Sequence, residues 1–231
     1  MAMPRVTVFA SSTPNTSPNL ISVSTEFGRL LAERGCVGVF GGGNAGCMGA
    51  FAEAMHSAGG RIHGITHRMF IKPGGSSFSE ENASALQSLE IVEGRDLTMR
   101  KRRLLDACDC IVALPGGVGT FDELWMAIAE LGVHCGDRPV CLLNVDGYYD
   151  GSIEQLKRAD KDGLLRKPWS AYVKVVETAQ AAVEWCAEQE SRATPTSPPT
   201  GSPYRSGVVH GVLLGAGATL ALLAAARGLR A

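Results

Sequence analysis

The chain has 231 residues, 45% of them apolar and 19% charged, with a formal net charge of −1. That length holds one α/β domain with a real core plus a short appendage. The charge balance supplies no overall basic field to attract nucleic acid or an anionic membrane surface. Seven cysteines at scattered spacings, with no CxxC pair, read as free thiols of a reducing compartment and exclude a disulfide framework or a zinc site as the leading expectation.

Met1 to Arg5 runs straight into VTVFASS, too short an apolar segment for a secretory signal. Arg5–Ser11 is predicted as a strand. A helix follows over Ser17–Arg34, with Pro18 in its first turn and Gly35 past its end. Cys36–Phe40 is a second strand and opens into the loop Gly41-Gly42-Gly43-Asn44. Ala45–Ala58 is a helix stopped by Gly59-Gly60, and Arg61–Thr66 a third strand. Residues 67–88 are polar and irregular, long enough to suggest a functional loop. A strand over Leu89–Glu93 and a basic helix over Leu97–Ala107 come next. Asp109–Leu114 is a buried strand, with Cys108 and Cys110 as core packing, and it leads into Pro115-Gly116-Gly117-Val118-Gly119. The last elements are a helix over Thr120–Leu131, a strand over Pro139–Asn144, a helix over residues 149–162, a short strand over Tyr172–Val176 and a helix over residues 178–190.

Strict alternation of strand and helix predicts a Rossmann-like α/β domain over residues 1–190, a doubly wound parallel sheet with helices on both faces. The runs VGVF and IVAL suit strands buried on both sides. Ligands of such sheets bind beyond the carboxyl ends of the strands. The loops at Ser11-Ser12, Gly41–Asn44 and Pro115–Thr120 each follow a strand, so they should gather at one rim. Residues 191–206, rich in Pro, Ser and Thr, read as a disordered linker. Residues 207–226 carry no charge and precede Arg227 and Arg230. They are long enough to span a bilayer, which suggests a C-terminal apolar helix that anchors a cytoplasmic catalytic domain to an intracellular membrane. Their richness in Gly and Ala, and His210, keep open a tail that is disordered or packs on a partner.

The strongest chemical signal is PGGVGTFDE, Pro115 to Glu123. Gly116, Gly117 and Gly119 let the backbone turn N–H groups outward, and Thr120 is placed to cap the next helix. A helix start with free N–H groups and a positive dipole end suits a phosphate. Glu123 would then lie in the first turn, beside that site. The alternative is a glycine-rich turn with Glu123 as a surface residue complementing the dipole. GGGNAGCMG, Gly41 to Gly49, repeats strand, glycines and helix start, but is neither a Walker loop nor a full GxGxxG fingerprint. Met48 and Gly49 can equally be read as packing. Of the basic run Arg100-Lys101-Arg102-Arg103, Arg100 and Arg103 share a helix face, so one or two residues at most can serve a site while the others meet solvent. An Arg there would match a phosphate or a carboxylate through its planar fork.

Taken together, VFASS (Val8–Ser12), GGGNAGCMG, the pair Arg100-Lys101 and PGGVGTFDE resemble the LOG ("Lonely Guy") phosphoribohydrolases, often labelled lysine decarboxylase-like. The resemblance covers roughly residues 5 to 188. It implies a homodimer that cleaves cytokinin riboside 5′-monophosphates to free base and ribose 5-phosphate without a cofactor. It also implies Arg100 and Glu123 as the catalytic pair and Gly116, Gly117, Val118, Gly119 and Thr120 as the phosphate loop. Gly42, Gly43, Met48 and Lys101 would line the pocket, with Ser11 and Ser12 near it. Glu80 or Glu81 would be the counterpart of a ligand-contacting Glu upstream of the Arg-Lys pair. Leu97 and Thr98 stand where the family often has Met-His, Phe9-Ala10 where it has Cys-Gly, and Asn44 and Cys47 depart from its second glycine loop. These differences fall where the base or ribose would sit, so they bear on substrate choice more than on reaction type. Lysine decarboxylation would need a pyridoxal phosphate Schiff-base Lys, and no strand-end Lys stands in a fitting setting. A binding or carrier module is the other reading. Phosphate binding alone calls for no carboxylate beside the anion, so Arg100 and Glu123 together favour catalysis.

Overall fold

Parallel strands need long crossovers, and the chain supplies a helix for nearly every one. In the computed structural model, residues 3–72, 77–79, 83–133 and 136–189 are described. The strands are β1 (Arg5–Phe9), β2 (Val37–Phe40), β3 (Arg61–His67), β4 (Ser88–Val92), β5 (Cys110–Ala113), β6 (Val140–Leu143) and β7 (Lys174–Val176). They form one sheet in the order β4-β3-β2-β1-β5-β6-β7, every neighbouring pair parallel. The helices are α1 (Pro18–Glu33), α2 (Gly46–Ser57), α3 (Thr98–Asp106), α4 (Val118–Val133), α5 (Asp150–Lys161) and α6 (Ala179–Ala187).

Alternation along the central strands divides the core in two. Val6, Val8, Cys110 and Val112 face Phe27 and Leu31 of α1, Phe51 and Met55 of α2, and Val183 of α6. Phe9, Ile111 and Ala113 face Leu104 of α3, Leu124 and Ile128 of α4, and Ile153 and Leu156 of α5. The expected Rossmann-like architecture is therefore present, with three helices on each face. Six of the seven cysteines are free and buried, and Cys135 lies outside the described residues.

The tightest helix contact depends on a missing side chain. A Cβ at Gly28 of α1 would lie 2.6 Å from the Phe51 carbonyl oxygen and 3.1 Å from the Ala54 Cβ on α2. Backbone cannot yield as a side-chain tip can. Gly28→Ala is expected to cost about 2 kcal/mol, the overpacking cost less the ~1 kcal/mol that Ala gains in helix propensity. Thermal unfolding should record a Tm lowered by about 4–8 °C. An unchanged or higher Tm would mean that α1 and α2 separate freely.

Some boundaries differ from expectation, and the differences matter at the rim. β1 ends at Phe9, short of Ser11, because the chain leaves the ladder there. The Ser11 N–H donates to the Pro115 carbonyl (3.3 Å), and the Ser11 carbonyl accepts from the Met48 N–H (2.9 Å). α4 begins at Val118, two residues before Thr120. The stretch predicted as irregular contains short 3₁₀ turns at Arg68–Phe70 and Ala83–Ala85 and an isolated bridge between Gly43 and Ser77. The expected linker at 191–206 and apolar tail at 207–231 lie outside the described residues. Among the described residues no helix is long and apolar enough to cross a membrane.

Strand order reverses between β1 and β5. α1 leaves β1 toward one face and α4 leaves β5 toward the other, so their loops diverge and leave a crevice at the carboxyl ends.

Candidate active site

The crevice contains a cavity of about 340 Å³, within the size range of small-molecule sites. One end is the start of α4. The first main-chain bond of that helix runs from the Phe121 N–H to the Gly117 carbonyl (3.0 Å). The N–H groups of Val118, Gly119 and Thr120 therefore have no helical acceptor, and no other acceptor for them is found among the described residues. Nothing lies within 4 Å of a Cβ added at Gly117 or Gly119, so the approach is open. Gly117, Val118, Gly119 and Thr120 all line the cavity. Exposed N–H groups on a positive helix end suit an anion.

Gly116 does not line it. A Cβ there would fall 2.1 Å from Thr120 Oγ1, because the Thr120 side chain, buried, folds back over this glycine. Thr120 is thus an internal residue of the first turn and not the helix cap expected of it. For the same reason Glu123 belongs to the second turn.

The second glycine loop, similar in sequence, is used differently. Its helix start is occupied by the chain itself, since the Met48 N–H is spent on Ser11. Gly41, Gly43 and Met48 line the cavity, with Ser11 and Ser12 packed beside them. Gly42 does not. Its φ of +74° turns it toward Thr66, whose Cβ would sit 2.9 Å from a Cβ at this position.

The other end of the cavity holds the charged pair. Arg100 on α3 and Glu123 on α4 are both buried, and Arg100 Nη1 donates to Glu123 Oε1 at 2.8 Å. Arg100 Nε donates to the Ile65 carbonyl at the end of β3, and Nη2 to the Gly41 carbonyl at the end of β2, each at 3.1 Å. A Cβ at Gly41 would lie 2.2 Å from Nη2, so any larger residue there would push the guanidinium off this seat. The Phe70 ring covers it from a further side, its centroid 5.6 Å from Cζ. Three of the five guanidinium N–H groups are thereby committed to protein acceptors. Burial raises the Glu123 carboxyl above its ordinary range, and the charge and hydrogen bond of Arg100 pull it part of the way back. Glu123 is therefore not a surface residue complementing the helix dipole.

The remaining basic residues separate. Lys101 lines the cavity and holds Asp122 through Nζ at 2.8 and 2.9 Å. Arg102 pairs with Glu130 (2.6 Å) and Arg103 with Glu90 on β4 (3.3 Å). Arg103, on the same helix face as Arg100, does not reach the cavity. Glu90 of β4 holds Arg103 away from the cavity. Glu80 and Glu81 lie outside the described residues. Phe70 and Asp122 are lining residues that the sequence reading did not single out. Asp122 stood inside the Pro115–Glu123 motif and was legible there; Phe70 sits in the irregular stretch with no local signal. Ala10, Met48, Phe70, Leu97 and Val118 make the apolar part of the wall. Among the described residues no cluster of His, Cys, Asp or Glu could hold a metal ion.

Fold and site together define a Rossmann-like α/β protein with an open helix start facing a buried acid–guanidinium pair. A family model described as "Possible lysine decarboxylase" matches residues 48–186. Cytokinin riboside 5′-monophosphate phosphoribohydrolase LOG5 of Arabidopsis thaliana is 35% identical over 164 residues, 70% of this chain and 68% of its own. The probable phosphoribohydrolase LOGL5 of Oryza sativa subsp. japonica is 34% identical over 177 residues, 76% of this chain and 68% of its own. The X-ray structure of TM1055 superposes with a TM-score of 0.60 at 28% identity, covering 79% of this chain and 98% of that one. The molybdenum cofactor carrier protein of Chlamydomonas reinhardtii shares the fold, with a TM-score of 0.57 at 19% identity over 79% of this chain and 95% of its own. The chain belongs to the LOG family, whose members among its relatives are named cytokinin riboside 5′-monophosphate phosphoribohydrolases.

Proposed function

We propose that the chain hydrolyses the N-glycosidic bond of a nucleoside 5′-monophosphate, with the cytokinin nucleotides of its relatives' names as the first candidates. One observation carries this reading: a buried carboxylate, held by an arginine, shares a small cavity with an open helix start. The 5′-phosphate binds the N–H groups of Val118–Thr120 and places the ribose between them and Glu123. Water attacks C1′ as the C1′–N bond breaks. The bonding pair leaves with the base, which takes up a proton, and positive charge develops on the ribose ring. Glu123 offsets that charge and orients the water. Arg100 keeps the carboxylate in place. Binding energy from the distant phosphate aligns the reacting carbon.

The carrier reading has weaker support. Its solved neighbours are likenesses of fold, and it leaves Glu123 without a task. Purified full-length protein should release ribose 5-phosphate from AMP or isopentenyladenosine monophosphate. The kcat/KM for the monophosphate should exceed that for the free nucleoside by about 10²-fold, the worth of a charge-assisted phosphate contact of ~3 kcal/mol. Monophosphates bound intact without turnover would favour a carrier, and equal rates on nucleosides would remove the phosphate from the mechanism.

A further inference from the structure

The loop after β6 contains two consecutive tyrosines whose hydroxyls end on the glycine loop. Tyr149 Oη donates to the Leu114 carbonyl at 2.6 Å, and Tyr148 Oη donates to the Gly116 carbonyl at 2.5 Å. Between them, the Pro115 carbonyl accepts from the Ser11 N–H, and the next carbonyl, Gly117, accepts from Phe121. Four successive carbonyls, 114 to 117, are thus all held by other parts of the protein.

A peptide unit is planar and trans, so fixing its carbonyl fixes the following N–H in the opposite sense. The chain contains no cis peptide bond among its described residues. Tyr148 therefore sets the direction of the Gly117 N–H. That matters because Gly117 has no side chain, and nothing packs within 4 Å of its Cβ position to hold it otherwise.

The tyrosines are themselves deliberately placed. Asp146 and Gly147 both have positive φ, +49° and +74°. For a residue other than glycine that conformation is costly and is kept where the surroundings impose it. The Asp146 carboxylate accepts from Asn19 (2.7 Å). Asn144 accepts from the Tyr149 N–H (2.6 Å) and donates to Asp150 (2.8 Å). Tyr149 is fully buried, its ring edge-on to Tyr148 with centroids 5.1 Å apart. Tyr148 stacks on Phe121 of α4. This strained turn projects both hydroxyls under the glycine loop.

We propose that Tyr148, seated by Tyr149, is a positioning residue that orients the Gly117 N–H, at the open mouth of the glycine loop, toward the phosphoryl group of the ligand. It touches no ligand and acts through the backbone. This inference rests on the proposed use of α4 as the phosphate site.

The test is Tyr148→Phe in the full chain, which removes one oxygen and keeps the stack on Phe121. Calorimetric titration with ribose 5-phosphate should show Kd raised about 5-fold, the scale of one neutral hydrogen bond. KM for AMP should rise by the same factor, with kcat within about twofold of wild type. Affinity for adenosine, which lacks the phosphate, should not change. Unchanged ribose 5-phosphate affinity, or equal losses for AMP and adenosine, overturns the assignment. Wild-type protein that binds ribose 5-phosphate but cleaves no monophosphate sinks the hydrolase reading alone, and the brace is then judged on Kd. Wild-type protein that does not bind ribose 5-phosphate overturns the brace together with the phosphate site.

Discussion

Glu123→Gln is expected to lower kcat for ribose 5-phosphate release by about 10³-fold, within the range for loss of a positioned acid–base or charge-stabilising group. The amide has nearly the same shape and still accepts from Arg100 Nη1, whose present partner is Glu123 Oε1. What is lost is the negative charge that faces the developing cation. Stability should change little, because two effects oppose each other. The amide escapes the burial penalty that raises the carboxyl, while Arg100 loses its counter-charge. Steady-state kinetics beside a thermal melt separates these. A variant that melts within about 5 °C of wild type and turns over normally would take Glu123 out of the chemistry.

Arg100→Met should be the most damaging single change to the fold of the site. It strands the Glu123 carboxylate and leaves the Ile65 and Gly41 carbonyls without their guanidinium donor. Breaking a buried pair from one side costs about 3–5 kcal/mol, seen as a Tm lower by about 10–15 °C. The effect also has a pH signature. Burial already raises Glu123, and Arg100 is the chief influence lowering it, so the variant's carboxyl moves further up. An acid whose folded-state value is raised favours the folded state while protonated. That stability is fully present below its unfolded value and is lost as pH rises through the folded one. The deficit of Arg100→Met should therefore be smaller near pH 5 than near pH 8, and the acid limb of any residual kcat profile should shift upward. Melts across that range check the first statement and pH–rate profiles the second. A deficit that grows toward acid would contradict the assigned direction for Glu123.

The elements were almost fully legible in the chain. Short β-branched runs between amphipathic segments produced all seven strands and six helices, since strand and helix periods are local properties. The ends were less legible at the rim. The start of α4 at Val118 rather than Thr120 follows from how Thr120 packs on Gly116, a tertiary contact. Gly116 and Gly42 were expected in the pocket as members of glycine loops. Both turn away, one under Thr120 and one against Thr66. A run of glycines announces that backbone will approach something, but not what it approaches.

The sequence alone settled that a parallel sheet would bring three loops to one rim, because alternation and connection length leave few other arrangements. It also marked Arg100 and Glu123 through the motifs they occupy. Which of four neighbouring basic side chains would enter the cavity was decided only by tertiary structure. Arg100 is chosen by the carbonyls of Ile65 and Gly41, 35 and 59 positions earlier, while Glu90 and Glu130 draw Arg103 and Arg102 elsewhere. Helical spacing specifies the direction of a side chain relative to its own axis. The charge and dipoles that capture it come from other elements of the chain, and those meet only when the domain has formed.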